Sequence, residues 1–99
     1  IKALAHITGG GLLENIPRVL PAHLDARIQS DSWEWPPLFS LLQRWGSISV
    51  EEMRRVFNLG IGMVAIVGAA DCERFLSMLP EPAALIGELV PGEGRVRFV

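Results

Sequence analysis

Apolar positions change their period several times along the chain, and each change predicts an element. Ala, Leu and Ile are mixed with polar residues over residues 2–8 (KALAHIT), which predicts a strand that ends at Gly9, Gly10 and Gly11. Residues 11–16 read as a short helix, and Pro17 suits the first turn of a second helical piece better than a helix interior. Residues 25–30 (DARIQS) alternate, with Ala26 and Ile28 on one face of a half-buried strand. The period then lengthens. Pro36 and Pro37 start a helix, Leu38, Leu41, Leu42 and Trp45 form its inward stripe, and Gly46 ends it.

Ser49 and Glu52 have the spacing of a capping box, followed by an apolar stripe of Val50, Met53, Val56 and Phe57. Asn58 and Gly60 stand where a C-cap belongs. Residues 61–67 (IGMVAIV) are almost wholly apolar, which predicts a central strand buried on both faces. Asp71 is placed to cap a helix running to Leu79, with Phe75, Leu76 and Leu79 inward and Pro80 and Pro82 beyond its end. A strand over 84–90, a turn at 91–94 (PGEG) and a partner strand over 95–99 predict a terminal hairpin. The order β-α-β-α-α-β-α-β-β gives an α+β fold, an α/β layered sandwich with a mixed sheet covered by helices. Local pattern does not fix the strand order.

Composition narrows the function classes. The 99 residues make one domain of ordinary size. A net charge of −2 argues against a general electrostatic grip on nucleic acid. The longest apolar run, residues 61–70, is too short and too glycine-rich to span a bilayer. A single cysteine, Cys72, excludes an internal disulfide and fits a reducing, cytoplasmic home. The two histidines are far apart in sequence, so no zinc spacing exists and no metal site is expected. No basic segment precedes an apolar one, so no signal peptide is expected. The abrupt, strand-like start is what a fragment of something longer would show.

The glycine run is the main candidate for chemistry. Glycine reaches φ > 0 and lets another group approach the backbone closely. A bare loop opening a helix presents unpaired N–H groups, which suit an anion such as phosphate. A tight βα turn without a ligand explains the same residues. Neither GxGxxG nor GxxxxGK[ST] is present, so neither the dinucleotide fingerprint nor the P-loop applies. On a strand, His6 and Thr8 point to one face. His6 is then either a proton donor or acceptor beside the loop or a hydrogen-bonded structural residue. Glu14 and Asn15 either reach back to a ligand or are solvated, and Arg18 either adds charge or covers surface. Asn58, Gly60 and Gly62 mark a second glycine-rich junction (FNLGIGM), for which a C-cap accounts only in part. Trp33, Trp35 and Trp45 read as core or interface anchors, and Cys72 as a buried or half-buried thiol at a helix start.

Taken together, KALAHITGGGLLENIPRVLP, a Trp followed by PPLFSLLQRWG, and EEMRRVFNLGIGMV resemble the C-terminal domain of the phosphoribosylformylglycinamidine cyclo-ligase (aminoimidazole ribonucleotide synthetase) family. The resemblance covers residues 2–99. It implies a step of purine biosynthesis in which ATP and Mg²⁺ activate the formyl amide oxygen of formylglycinamidine ribonucleotide. A nitrogen then attacks that carbon, phosphate leaves and the imidazole ring closes to aminoimidazole ribonucleotide. It also implies a homodimer, with the active site between this domain and an N-terminal ATP-binding domain of the same chain.

On the family reading, Thr8, Gly9, Gly10, Gly11 and Asn15 contact substrate or its phosphate, and His6 shuttles a proton. Asn58 and Gly60 line or support the cleft. No ATP, Mg²⁺ or other cofactor is expected on these residues alone. A preceding strand and helix are expected to be missing, leaving a sheet edge open. Two other readings remain: a related ATP-dependent enzyme domain (formylglycinamidine ribonucleotide amidotransferase, selenophosphate synthetase or thiamine monophosphate kinase), or a non-catalytic module binding a phosphate ligand or a partner. The loop HITGGGLLENIPRVLP differs from the corresponding loops of those relatives.

Overall fold

A computed structural model describes all residues, 1–99. In chain order come β1 (Ala3–His6), α1 (Gly11–Asn15), a 3-10 turn (Ile16–Val19), β2 (Leu24–Ile28), α2 (Pro37–Gly46) and α3 (Val50–Val56). β3 (Met63–Ile66), a second 3-10 turn (Ala69–Asp71), α4 (Cys72–Met78), β4 (Gly87–Pro91) and β5 (Val96–Phe98) complete it. The element order and the α+β class match the sequence pattern.

Strand order is where local pattern gives way to tertiary structure. β1 and β3 form an antiparallel pair, with Ala5 opposite Val64 and His6 opposite Met63. A separate mixed sheet has the order β4-β2-β5, with β2 antiparallel to β4 and parallel to β5. The expected terminal hairpin is therefore not formed, because β2 lies between its two arms. Asp25 explains the geometry: its Oδ1 accepts the N–H groups of Glu93 and Arg95 at 2.8 and 2.9 Å. That carboxylate draws the PGEG loop across the end of β2, so that β5 emerges on β2's far side.

The core lies between the two sheets. Ala5, Ile7, Leu12, Ile16, Ala26 and Ile28 form one buried cluster, sealed by side chains such as Val64, Leu89 and Phe98. Ala26 and Ile28 share the buried face of β2, as their alternation implies. β3 is not the central strand its composition predicts. It pairs with β1 alone and carries Met63 at 56% exposure on its outer face.

The helices bury less than their periodicity predicts. α2 has no buried residue, and Leu38 and Trp45 of its stripe are 60% and 77% exposed. α4 also buries none, with Leu79 exposed just beyond its end. Their apolar faces have no covering layer within these residues. In α3 only Met53 is buried, and Val50 and Val56 are exposed. Ser49 Oγ accepts the Glu52 N–H at 3.1 Å, which is half of the expected capping box. The other half is diverted, since the Glu52 carboxylate pairs with Arg55 at 2.8 Å instead of reaching back.

Candidate functional site

The glycine loop is shaped from inside. Asn15, at the end of α1, is 3% exposed and turns its side chain back beneath the loop. Its Nδ2 donates to the carbonyls of Thr8, Gly9 and Gly11 at 3.2, 3.3 and 2.8 Å, and its Oδ1 accepts the Thr8 hydroxyl at 3.0 Å. Asn15 therefore holds the loop, with its amide hydrogens directed to the loop's own carbonyls. Gly11 N–H closes the turn on Thr8 O at 3.1 Å, whereas Gly9 N–H and Gly10 N–H bond no other backbone group.

The three glycines differ in what requires them. Gly10 and Gly11 have φ of +93° and +62°, which glycine adopts without strain. A Cβ on Gly11 would also lie 2.5 Å from Phe57 O and 2.6 Å from Arg54 O. Gly11 thus lets the start of α1 pack directly on the last carbonyls of α3. At Gly9 neither constraint applies: φ is outside the left-handed range and a Cβ would meet nothing within 4 Å. Nothing within the chain demands glycine there.

Gly9 opens onto a broad cleft of about 240 Å³, lined by Ile7, Thr8, Gly9, Phe39, Val56, Phe57 and Asn58. Phe39 and Phe57 form one wall, with ring centroids 5.7 Å apart and planes tilted by 59°. The polar groups come from Thr8, Gly9 and Asn58, from opposite ends of the sequence pattern. The structure thus brings together residues of both glycine junctions, Thr8 and Gly9 of the first with Phe57 and Asn58 of the second. Asn58 Oδ1 also accepts Gly60 N–H at 2.9 Å, forming a tight turn around Leu59. Leu59 is buried with φ of +55°, and its carbonyl is held by the Trp33 indole N–H at 3.1 Å. Gly60 packs on the Pro36 ring, behind the cleft.

Other expected site residues lie elsewhere. His6 is exposed, opposite Met63, and does not line the cleft. Glu14 is exposed, and its carboxylate folds against Gly10, where a Cβ would run into it. That carboxylate stands where an anion would approach, and no Lys or Arg lines the cleft. The aromatic wall is the feature that sequence reasoning missed. Phe57 and Val56 read as parts of a helix stripe, and no local signal points their neighbours at the glycine loop.

One carboxyl at the far end of the fold is displaced from its ordinary behaviour. The N–H groups of Arg95 and Glu93 hold the Asp25 carboxyl below the usual aspartate range, assisted by Arg97 at 3.2 Å. Asp25 lies at the β2–β5 end and supports the fold. No group of three metal-ligating side chains occurs, and no helix is long and apolar enough to cross a membrane.

The comparisons with known proteins agree with the resemblance read from the sequence. Residues 1–99 match the family described as AIR synthase related protein, C-terminal domain. A protein of Caldanaerobacter subterraneus subsp. tengcongensis named phosphoribosylformylglycinamidine cyclo-ligase is 50% identical over 99 residues, covering 97% of this chain and 30% of the relative. Proteins of the same name from Pseudothermotoga lettingae and Bordetella pertussis are each 51% identical, covering 94% and 92% of this chain. The chain spans less than a third of the length of these relatives, at 30%, 28% and 27%. The match along the whole chain, with the TGGG loop and the FNLGIG turn meeting at one cleft, places this protein in the AIR synthase related C-terminal domain family.

Proposed function

We propose that this chain is the C-terminal domain of a phosphoribosylformylglycinamidine cyclo-ligase and supplies one wall of its substrate cleft. The observation that carries the reading is the 50% identity to a named cyclo-ligase across 97% of the chain. In the complete protein the domain works with an N-terminal ATP-binding domain of the same chain, as a homodimer in the cytoplasm. The extra length of the relatives supports the first partner. The dimer and the compartment rest on the family resemblance and on the biosynthetic chemistry.

In this reading the cleft binds formylglycinamidine ribonucleotide. Gly9 offers its N–H to an acceptor oxygen of the substrate, the phosphate being the strongest acceptor it carries. Thr8 and Asn58 add polar contacts at the rim, and Gly9 allows the substrate to approach the backbone without a Cβ. Phe39, Val56 and Phe57 exclude water along the opposite wall. Gly11 and Gly60 act behind the cleft, where they allow close packing. His6 stands outside the cleft and takes no part in these contacts.

ATP and Mg²⁺ do not fit the residues present: no metal-ligating group of three exists, no cation lines the cleft, and Glu14 presents negative charge beside Gly10. The charge balancing a phosphate must therefore come from outside this domain. The domain's share of the work is to bind and orient the ribonucleotide. The test is to incubate the full-length protein with formylglycinamidine ribonucleotide and ATP and to look for aminoimidazole ribonucleotide by chromatography. Its appearance is expected, and its absence with intact protein would refute the reading.

A further inference from the structure

The glycine loop exposes its N–H groups because something beneath it holds its carbonyls. A trans peptide unit is planar, with its C=O and N–H on opposite sides. Fixing one carbonyl therefore fixes the direction of the next residue's N–H. Thr8 O and Gly9 O both accept from Asn15 Nδ2, so Gly9 N–H and Gly10 N–H point away from Asn15. The third bond, to Gly11 O at 2.8 Å, is the shortest and is fully buried. The amide has two hydrogens for three acceptors, so one hydrogen is shared. The Thr8 hydroxyl fixes which end of the carboxamide faces the loop, by donating to Oδ1 at 3.0 Å.

We propose that Asn15 is a positioning residue of the cleft: from a buried site it sets which way the peptide groups of residues 8–10 face, and so leaves the N–H of Gly9, which lines the cleft, free to donate. The assignment rests on the reading of the cleft as the ribonucleotide site. It differs from a stability role in being specific to the carboxamide. No residue other than Asn or Gln places a neutral two-hydrogen donor beside an acceptor on one short side chain, and Gln is one methylene too long for a pocket this closed. An aspartate at the same place has the same shape and faces three carbonyls with lone pairs only. Repulsion there drives the loop's peptides to turn, and it also favours the protonated acid, which regains one donor.

The test uses the full-length protein with Asn15→Asp, Asn15→Ala and Gly9→Ala, each assayed well below its melting temperature and normalised to folded protein. Both Asn15 variants are expected to lose at least tenfold in kcat/KM for the ribonucleotide at pH 8. The Asn15→Asp deficit, relative to wild type at each pH, is expected to narrow as the pH falls, because protonation restores a donor. The Asn15→Ala deficit is expected to stay constant. A role in stability alone would lower the melting temperature of both variants and leave kcat/KM of the folded protein unchanged.

If Gly9→Ala loses activity while both Asn15 variants keep it, the assignment is overturned and the cleft reading stands. If all three keep wild-type kcat/KM, the cleft reading falls and the assignment with it. A measurement on the wild type needs no variant to fold: with ¹⁵N-labelled glycine and asparagine, the Asn15 carboxamide protons are expected to be protected from exchange and the Gly9 and Gly10 amides to exchange freely. The reverse pattern would overturn the assignment.

Discussion

Replacing Gly9 and Gly11 separately by alanine exposes the difference between a glycine the fold needs and one it does not. At Gly11, alanine must adopt φ of +62° and place its Cβ 2.5 and 2.6 Å from two backbone carbonyl oxygens. The left-handed conformation costs an L-residue roughly 1–2 kcal/mol. Neither Phe57 O nor Arg54 O belongs to a side chain that can swing away, so α1 must move off α3, an overpacking cost of about 1–3 kcal/mol. Together these give about 2–5 kcal/mol of destabilisation. For a domain of this size each kcal/mol moves the melting temperature by roughly 4–8 °C. Gly11→Ala is therefore expected to melt at least about 8 °C below wild type.

At Gly9 the φ lies outside the left-handed range and a Cβ would meet nothing within 4 Å. There alanine restricts the unfolded chain and stabilises by about 0.4–1 kcal/mol. The assay is thermal and urea denaturation of both variants, followed by circular dichroism. Equal losses at the two positions would refute the reasoning, as would a loss above about 1 kcal/mol at Gly9, well outside the range expected of a compatible glycine-to-alanine change.

Three further predictions rest on single polar groups of the fold and the cleft. Asp25→Asn is expected to lower the melting temperature at pH 7. The folded carboxyl titrates below the unfolded value of about 3.9, so the stability it contributes is present above that pH and is lost as the pH falls through the folded pKa. The gap between wild type and variant should close in acid, and a gap constant from pH 7 to pH 2 would contradict the account. Trp33→Phe removes the N–H that satisfies the buried Leu59 carbonyl and is expected to cost about 1–3 kcal/mol in urea unfolding; no loss would mean that the strained Leu59 turn holds by itself. Glu14→Gln removes an exposed negative charge beside Gly10, worth about 1 kcal/mol at contact distance in water. Titration calorimetry with ribose 5-phosphate on the full-length protein should then show severalfold tighter binding, and the gain should shrink as salt is added.

Much of the site was legible because its signals are local. The glycine run and the Pro17 turn are set by residues a few positions apart and occur where the sequence puts them; Asn58 and Gly60, expected as the C-cap of α3, instead form a separate turn after a cap at Phe57. What stayed hidden depends on distant partners. PGEG resembles a hairpin turn, but Asp25, 68 residues from Glu93, takes its N–H groups and sends β5 to the other side of β2. IGMVAIV has the composition of a buried strand, yet composition does not reveal that only β1 pairs with it. The α2 stripe has helical spacing, and spacing marks an apolar face without saying whether these residues contain a surface to cover it. Asn15 shows the same limit at the site. The sequence puts a polar residue one turn into α1, and only the fold shows that it faces inward, to the loop's own carbonyls.

If the cleft beside Gly9 binds the ribonucleotide, a single added methyl group there must slow the reaction of the complete enzyme. Wild-type and Gly9→Ala full-length proteins are compared for the rate of aminoimidazole ribonucleotide formation, with melting temperatures recorded in parallel. The account predicts at least a tenfold loss of kcat/KM in the variant with an unchanged or slightly raised melting temperature. Unchanged kcat/KM at that position would contradict it, because a Cβ there projects into the space the substrate is proposed to fill.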